Sequence, residues 1–196
     1  MFKYFTIFLF TVLGWKLEGQ MPAHIKKCIL VAAPHTSNLD FLLAMACFYK
    51  MKLPAKYLIK QEWLNFFLLK NIFKNSGAVG VDRSKSNTMV DALAEMITAS
   101  KENMAVMISP EGTRKLVRKW KTGFYYAAMK AKVPIVLSHL DYSKKIAAIG
   151  PSFMPCGCFR RDMLILKKYY HNISPKFPKN FSLDIYLTDE KAVCTG

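Results

Sequence analysis

Hydrophobic and polar positions along the chain follow two periods in turn. Short apolar runs that suit buried strands are separated by segments in which apolar residues recur every three or four positions, as on one face of a helix. We predict strands at 27–34, 55–60, 76–83, 104–110, 133–142 and 146–153, and helices at 38–50, 61–75, 87–102, 121–130 and 160–171. This order predicts an α/β fold in a single domain, with a mixed central sheet flanked by helices.

The N-terminal segment departs from this alternation. An uncharged, apolar run extends from Tyr4 to Trp15 with a lysine on each side. As a helix, these 12 residues span about 18 Å, which is less than a hydrocarbon core of about 30 Å. A core helix and a signal peptide are alternatives, but the aromatic ends and flanking lysines favour an interfacial helix. We therefore predict a membrane-associating segment at 1–20, followed by one domain at 21–196.

Charge and cysteine usage narrow the possible partners and compartment. The chain of 196 residues has 29 Lys+Arg against 13 Asp+Glu, a net charge of +16. Such a surface favours anionic partners, which include lipid headgroups, an acidic carrier protein, phosphorylated small molecules and nucleic acid. The five cysteines lie at irregular spacing and form no evident disulfide framework. We predict ordinary thiols in a reducing compartment.

A histidine and an aspartate lie five positions apart in VAAPHTSNLDFLL (31–43), where an apolar run gives way to polar residues. On one continuous helix, His35 and Asp40 would point roughly 140° apart. Across a strand-to-helix junction, the Asp40 carboxylate can turn back to one ring nitrogen and leave the other as a base. The positive end of the helix dipole favours the neutral imidazole that a base requires.

A second polar cluster, ISPEGTRK (108–115), also follows a predicted strand. It combines the carboxylate of Glu111, Gly112, the hydroxyl of Thr113 and the guanidinium of Arg114, and Arg83 lies at the end of another predicted strand. Guanidinium groups suit bidentate binding of phosphate. Because sites in open α/β sheets lie beyond the carboxyl ends of strands, the two arginines are placed to share one anion.

These blocks resemble the glycerophospholipid acyltransferases, typified by bacterial lysophosphatidic acid acyltransferase. HTSNLD matches the family's HxxxxD motif and PEGTR its EGTR motif. GAVGVDR is similar to the family's glycine-to-arginine block, and VPIVLS to its V-P-I block. All four occur in the family's order between residues 28 and 151. The resemblance implies that 21–196 is an acyltransferase domain.

The resemblance also implies a role for each candidate residue. His35 is the general base that takes a proton from an acceptor hydroxyl as it attacks an acyl thioester, and Asp40 orients and stabilises the imidazolium. The thioester is acyl-CoA or an acyl carrier protein; no metal, other cofactor or acyl-enzyme is expected, since no activated nucleophile such as GxSxG is present. The implied substrate-binding residues are Lys60, Arg83 and Arg114 for the acceptor phosphate, and Glu111, Gly112 and Thr113 for its glycerol part.

The implied acceptor is a lysolipid, with 1-acyl-sn-glycerol-3-phosphate as the first candidate. The apolar helix predicted at 61–75 is a candidate wall for the acyl chain. The implied location is the cytoplasmic side of the cell membrane, as a peripheral or monotopic protein on anionic lipid, with no nucleic-acid partner.

Two alternatives remain open. One is an O-acyltransferase of the same family that acts on an amino-acid lipid or another lysolipid. The other is a non-enzymatic basic protein that binds membranes or RNA. The second has the charge but no recognisable nucleic-acid motif, and it leaves the spacing of His35 and Asp40 unexplained.

Overall fold

The computed structural model describes residues 1–60, 73, 75–81 and 86–183. Its strands are β1 Lys16–Glu18, β2 Lys27–Ala32, β3 Ala55–Lys60, β4 Ala78–Val81, β5 Met104–Ile108, β6 Ile135–Asp141 and β7 Ile146–Phe153. The helices within the described residues are α1 Phe2–Val12, α2 Leu39–Lys50, α3 Ser86–Ala99, α4 Gly123–Ala131 and α5 Phe159–Tyr170, with a 3-10 turn at Pro178–Asn180.

The strands form one mixed sheet in the order β1-β7-β6-β2-β5-β3-β4. Strands β6, β2, β5, β3 and β4 pair in parallel, in that order across the sheet. Strand β7 is antiparallel to β6, and β1 pairs in parallel with β7. The carboxyl ends of β2, β3, β4, β5 and β6 therefore meet at the same edge of the sheet. Loops that leave this edge are close to one another however far apart they are in sequence.

The central strand β2 shows how the sheet buries both faces. Ile29 and Val31 pack with α3, α4 and α5, whereas Cys28 and Leu30 face the layer that contains α1 and α2. Successive side chains of a strand point to opposite faces, so a continuous apolar run is required where helices cover both. All four side chains are at most 1% exposed.

The predicted α/β fold, with one domain and a mixed sheet between helices, is confirmed. The described elements begin and end within three residues of the predicted positions. The prediction missed β1, which is too short for a periodic signal, and the 3-10 turn. The apolar helix predicted at 61–75 falls mostly outside the described residues.

The N-terminal segment is part of this fold. Helix α1 packs against α2 and buries Thr6 and Phe10, and β1 then adds a strand to the sheet beside β7. Among the helices described, none combines the length and the apolar character that crossing a bilayer requires.

The cysteines are in different chemical states. Burial raises the pKa of Cys28 and of Cys47 to about 12, so both are protonated packing groups at neutral pH. Cys156 is a free, exposed thiol. Cys158 is disulfide-bonded, so the prediction of ordinary thiols is wrong at this residue.

Candidate active site

The loop between β2 and α2 brings His35 and Asp40 together. Nδ1 of His35 lies 3.2 Å from Oδ2 of Asp40, which also accepts the backbone N–H groups of Thr36 and Ser37, each at 2.8 Å. These N–H groups precede the first turn of α2, where backbone donors have no partner within the helix. The carboxylate therefore orders the loop that carries His35 as well as meeting its ring.

The protonation of the pair follows from this geometry. An ionised carboxylate can only accept hydrogen bonds, so in the neutral ring the proton lies on Nδ1 of His35 and the lone pair on Nε2. The His35 side chain is 21% exposed, whereas that of Asp40 is 5% exposed. A small molecule can therefore reach the basic nitrogen, while the carboxylate stays shielded from water.

The other Asp40 oxygen is held from a distant part of the chain. The hydroxyl of Tyr142, the first residue after β6, donates to Oδ1 of Asp40 at 2.5 Å. Burial, together with this hydrogen bond to a carboxylate, raises the pKa of Tyr142 well above its usual range. Tyr142 is therefore a permanent donor at physiological pH. The sequence reading missed it because nothing local links a tyrosine to an aspartate 102 positions earlier.

Glu111 lies behind the histidine. Its Oε1 accepts the backbone N–H of His35 at 2.8 Å, and the residue is 4% exposed. Oε2 is buried with no hydrogen-bond partner among the described residues. Burial raises the pKa of Glu111 to about 7, and the hydrogen bond from His35 opposes the rise. The carboxyl group thus supports the main chain at His35; it is not among the described residues that line the cavity beside the pair.

A cavity of about 1240 Å³ opens beside the pair. His35 and Asp40 share its wall with Gly112, Thr113 and Arg114. Much of the remaining wall is apolar and comes from both helical layers, with Phe41, Ala44, Phe48, Met51, Met89 and Leu93. The volume exceeds that of most pockets for drug-sized ligands, which measure about 300–1,000 Å³. The site can take a ligand with a long apolar part and a polar end.

The loop after β5 adds a cationic side chain that the sequence reading missed. Gly112 has a φ of +66°, and a Cβ at this residue would lie 3.0 Å from Cε of Lys121. Glycine therefore lets the lysine side chain lie directly on the loop. Lys121 and Arg114 both line the cavity. The helical periodicity predicted Lys121 to be the start of a helix, but it lies ahead of α4 and its N–H donates to the carbonyl of Pro110.

Lys60 and Arg83 are the remaining residues that were predicted to bind the acceptor phosphate. Lys60 ends β3 at the same edge of the sheet and pairs with Val81 at the end of β4. Arg83 lies two positions further on, outside the described residues. In the part of the chain that the structure describes, no three His, Cys, Asp or Glu side chains gather as they would around a metal ion.

Comparisons with known proteins connect this site to one family. A family model described as "Acyltransferase" matches residues 15–137, more than half of the chain. The chain is 30% identical over 158 residues to a Mycoplasma pneumoniae protein named probable 1-acyl-sn-glycerol-3-phosphate acyltransferase, covering 74% of this chain and 59% of that protein. It is 26% identical to the Haemophilus influenzae 1-acyl-sn-glycerol-3-phosphate acyltransferase, covering 86% of this chain and 76% of that one.

The fold has a counterpart among solved structures. The crystal structure of the 1-acyl-sn-glycerophosphate acyltransferase PlsC from Thermotoga maritima superposes with a TM-score of 0.56 at 20% identity. The match covers 87% of this chain and 73% of that one, and it shows a shared fold. Since the family model runs from β1 into β6 and includes the loops that carry His35 and Glu111, the chain belongs to the acyltransferase family.

Proposed function

We propose that the protein is an acyltransferase that moves a fatty acyl group from an acyl thioester to the hydroxyl of a lysolipid. The first candidate for the acceptor is 1-acyl-sn-glycerol-3-phosphate, which the names of the relatives support. The observation that carries the proposal is the His35–Asp40 pair on the wall of a cavity that also holds cationic and apolar side chains. These features suit the hydroxyl, the phosphate and the acyl chains respectively.

In this reaction His35 acts as a general base. Its Nε2 takes the proton of the acceptor hydroxyl while the oxygen attacks the thioester carbonyl carbon. The C–O bond forms, the C–S bond breaks, and the thiolate leaves and takes a proton from the imidazolium. Asp40 holds the ring by Nδ1 and stabilises the positive charge of the imidazolium until the thiolate takes the proton.

The apolar wall of the cavity supplies binding energy for acyl chains. Each buried methylene contributes about 0.8 kcal/mol, so even a partly buried chain adds several kcal/mol. The donor, acyl-CoA or an acyl carrier protein, is polyanionic in either case. A protein with a net charge of +16 attracts both.

Arg114 is proposed to bind the acceptor phosphate. We expect Arg114→Ala to lower kcat/KM for 1-acyl-sn-glycerol-3-phosphate by about 10- to 100-fold, because a charge-assisted, bidentate contact is lost. The value for an uncharged monoacylglycerol should change little. The measurement is steady-state transfer of a labelled acyl group from acyl-CoA to each acceptor.

Arg118→Ala is the matched control for this test, because Arg118 is exposed on the same loop and does not line the cavity. Equal losses on both acceptors in the Arg114 variant would contradict a phosphate contact. Amino-acid lysolipids and other lysolipids belong in the same acceptor panel. A clear preference of the wild type for one of them would identify the alternative acceptor, and inactivity on the whole panel would favour a non-enzymatic binding protein.

The N-terminal helix is proposed to lie in the membrane interface. Four of its apolar side chains are between 53% and 74% exposed, although Phe10 on the same helix is buried: Tyr4, Phe5, Phe8 and Val12. An apolar face beside lysines at the start of the chain suits the boundary between headgroups and acyl chains. This face would hold the protein on anionic lipid, where its substrates are found.

Phe5→Ser/Phe8→Ser is expected to reduce binding to vesicles of mixed neutral and anionic phospholipid by at least about tenfold, since two aromatic side chains no longer insert. Co-sedimentation with the vesicles measures the binding. Leu164→Ser is the control, because Leu164 is 48% exposed on α5, across the sheet from α1. Unchanged sedimentation of the double variant would argue against an interfacial α1.

A further inference from the structure

Tyr142 holds Asp40 from behind and does not line the cavity. It lies beyond residues 15–137, which the family model matches, and outside the four sequence blocks. We propose that Tyr142 is a positioning residue of the active site, which fixes the Asp40 carboxylate so that its other oxygen stays on His35. This inference rests on the proposed function, in which His35 is the general base for acyl transfer.

The hydrogen bonds of Asp40 divide between its two oxygens. Oδ2 accepts from Thr36, Ser37 and the His35 ring, all within the same loop. Oδ1 accepts from Tyr142. The three bonds to Oδ2 hold the carboxylate to its own loop, and Glu111 holds that loop through the backbone N–H of His35. The donor from Tyr142 ties the carboxylate itself to the end of β6, the strand that pairs with β2.

Besides its bond to Asp40, Tyr142 is itself fixed in two ways. Its backbone N–H donates to the carbonyl of Ser174 at 2.8 Å. Its ring meets that of Trp15 edge-on, with centroids 4.9 Å apart and planes at 86°. In turn, Trp15 is 7% exposed and packs against Phe10 of α1. The hydroxyl therefore has little freedom to leave Asp40.

The packing around Tyr142 connects the N-terminal segment to the base. Trp15 lies between α1 and β1, and the N–H of Lys16 donates to the carbonyl of Lys145 in the same turn that begins with Tyr142. The rings of Phe10, Trp15 and Tyr142 form a continuous contact from α1 to the Asp40 carboxylate. The segment proposed to lie on the membrane is thus also structural support for the catalytic pair.

The test is Tyr142→Phe, which removes the hydroxyl and keeps the ring that packs on Trp15. We expect kcat to fall about tenfold or more, in line with the loss of one hydrogen bond to a charged group, with little change in KM for either substrate. Without this donor, the Asp40 charge is less neutralised and attracts a proton on His35 more strongly. The acid limb of the kcat profile should therefore move to higher pH.

The other ionisable groups around the pair remain unchanged in this variant. Within the described residues, Glu111 lies behind His35, and His139, Arg114 and Lys121 line the cavity. Any displacement of the acid limb relative to the wild type is therefore due to the missing hydroxyl.

The chain offers a matched control, Tyr125→Phe. Tyr125 is 1% exposed and its hydroxyl donates to Asp162, which is 2% exposed, at 2.9 Å. This substitution also removes a tyrosine hydroxyl from a buried aspartate, but away from His35. We expect it to retain the wild-type kcat and pH profile. Equal losses in both variants, or an unaltered Tyr142 variant, would overturn the proposal.

A second measurement keeps this inference separate from the proposed function. In nitrogen-15-labelled protein, NMR should show a protected Nδ1–H of His35 in the wild type and in the Tyr125 variant. In the Tyr142 variant this proton should exchange faster. If the wild type transfers no acyl group to any acceptor, the proposed function fails, and these spectra still decide the role of Tyr142.

Discussion

Replacing His35 with alanine is expected to lower kcat for acyl transfer by about 10²- to 10⁴-fold, the usual contribution of a positioned general base. The fold should survive, because His35 supports the structure through its backbone. Its N–H still donates to Glu111 in the alanine variant, and Asp40 keeps the N–H groups of Thr36 and Ser37. The measurement is transfer from palmitoyl-CoA to 1-acyl-sn-glycerol-3-phosphate, with circular dichroism and thermal unfolding as tests of folding.

His24→Ala is the control for this substitution, since His24 is exposed and outside the described cavity lining. It should match the wild type. A folded His35 variant with wild-type turnover would remove the histidine from the chemistry, and with it the central step of the proposed mechanism.

Replacing Glu111 with glutamine is expected to change how stability depends on pH. In the folded protein, burial raises the pKa of Glu111 to about 7 from its ordinary value of 4.5. The folded state therefore holds this proton more tightly than the unfolded state. The resulting stabilisation is complete below about pH 4.5 and is lost as the pH rises through about 7.

Glutamine has no proton to lose, and its side-chain oxygen can still accept the N–H of His35. The free energy of unfolding of the Gln variant, relative to the wild type, should therefore rise between pH 5 and pH 8. The difference can reach about 3 kcal/mol, which corresponds to the whole displacement of the pKa. Urea unfolding at several pH values measures it.

Glu95→Gln provides the comparison, because it removes the same charge from a residue that is exposed on α3. Its stability difference from the wild type should stay nearly constant over this range. Parallel curves for the wild type and the Glu111 variant would show that the carboxyl group is ionised without cost, and that its burial has been offset by groups around it.

Sequence reasoning was most successful where the signal was local and repeated. The apolar run in β2 and the helical spacing of α2 are such signals, and both elements begin within one residue of the predicted position. The junction between them had to bring His35 and Asp40 together, since no single helix could. The very short β1 escaped prediction because three residues carry no period.

Long-range relations were not predictable in the same way. The sequence placed Glu111 beside a bound acceptor, but its carboxyl group accepts a hydrogen bond from the main chain of His35, 76 positions away. Nothing in the sequence indicated that Tyr142 and Lys121 lie at the site. Their neighbours come from loops that are distant in the chain, and strand order decides which of these loops meet.

The amino-acid sequence by itself determined the class of fold, the order of most elements and the two loops proposed to carry the chemistry. Each of these depends on residues close together in the chain, through periodicity and spacing. Only the tertiary structure decided which groups surround the His35–Asp40 pair and how deeply each is buried. Five parallel strands ending at one edge bring distant loops into contact. Burial at this edge raises the pKa of Glu111. The pairing of β6 with β2 brings the Tyr142 hydroxyl within hydrogen-bond distance of the Asp40 carboxylate.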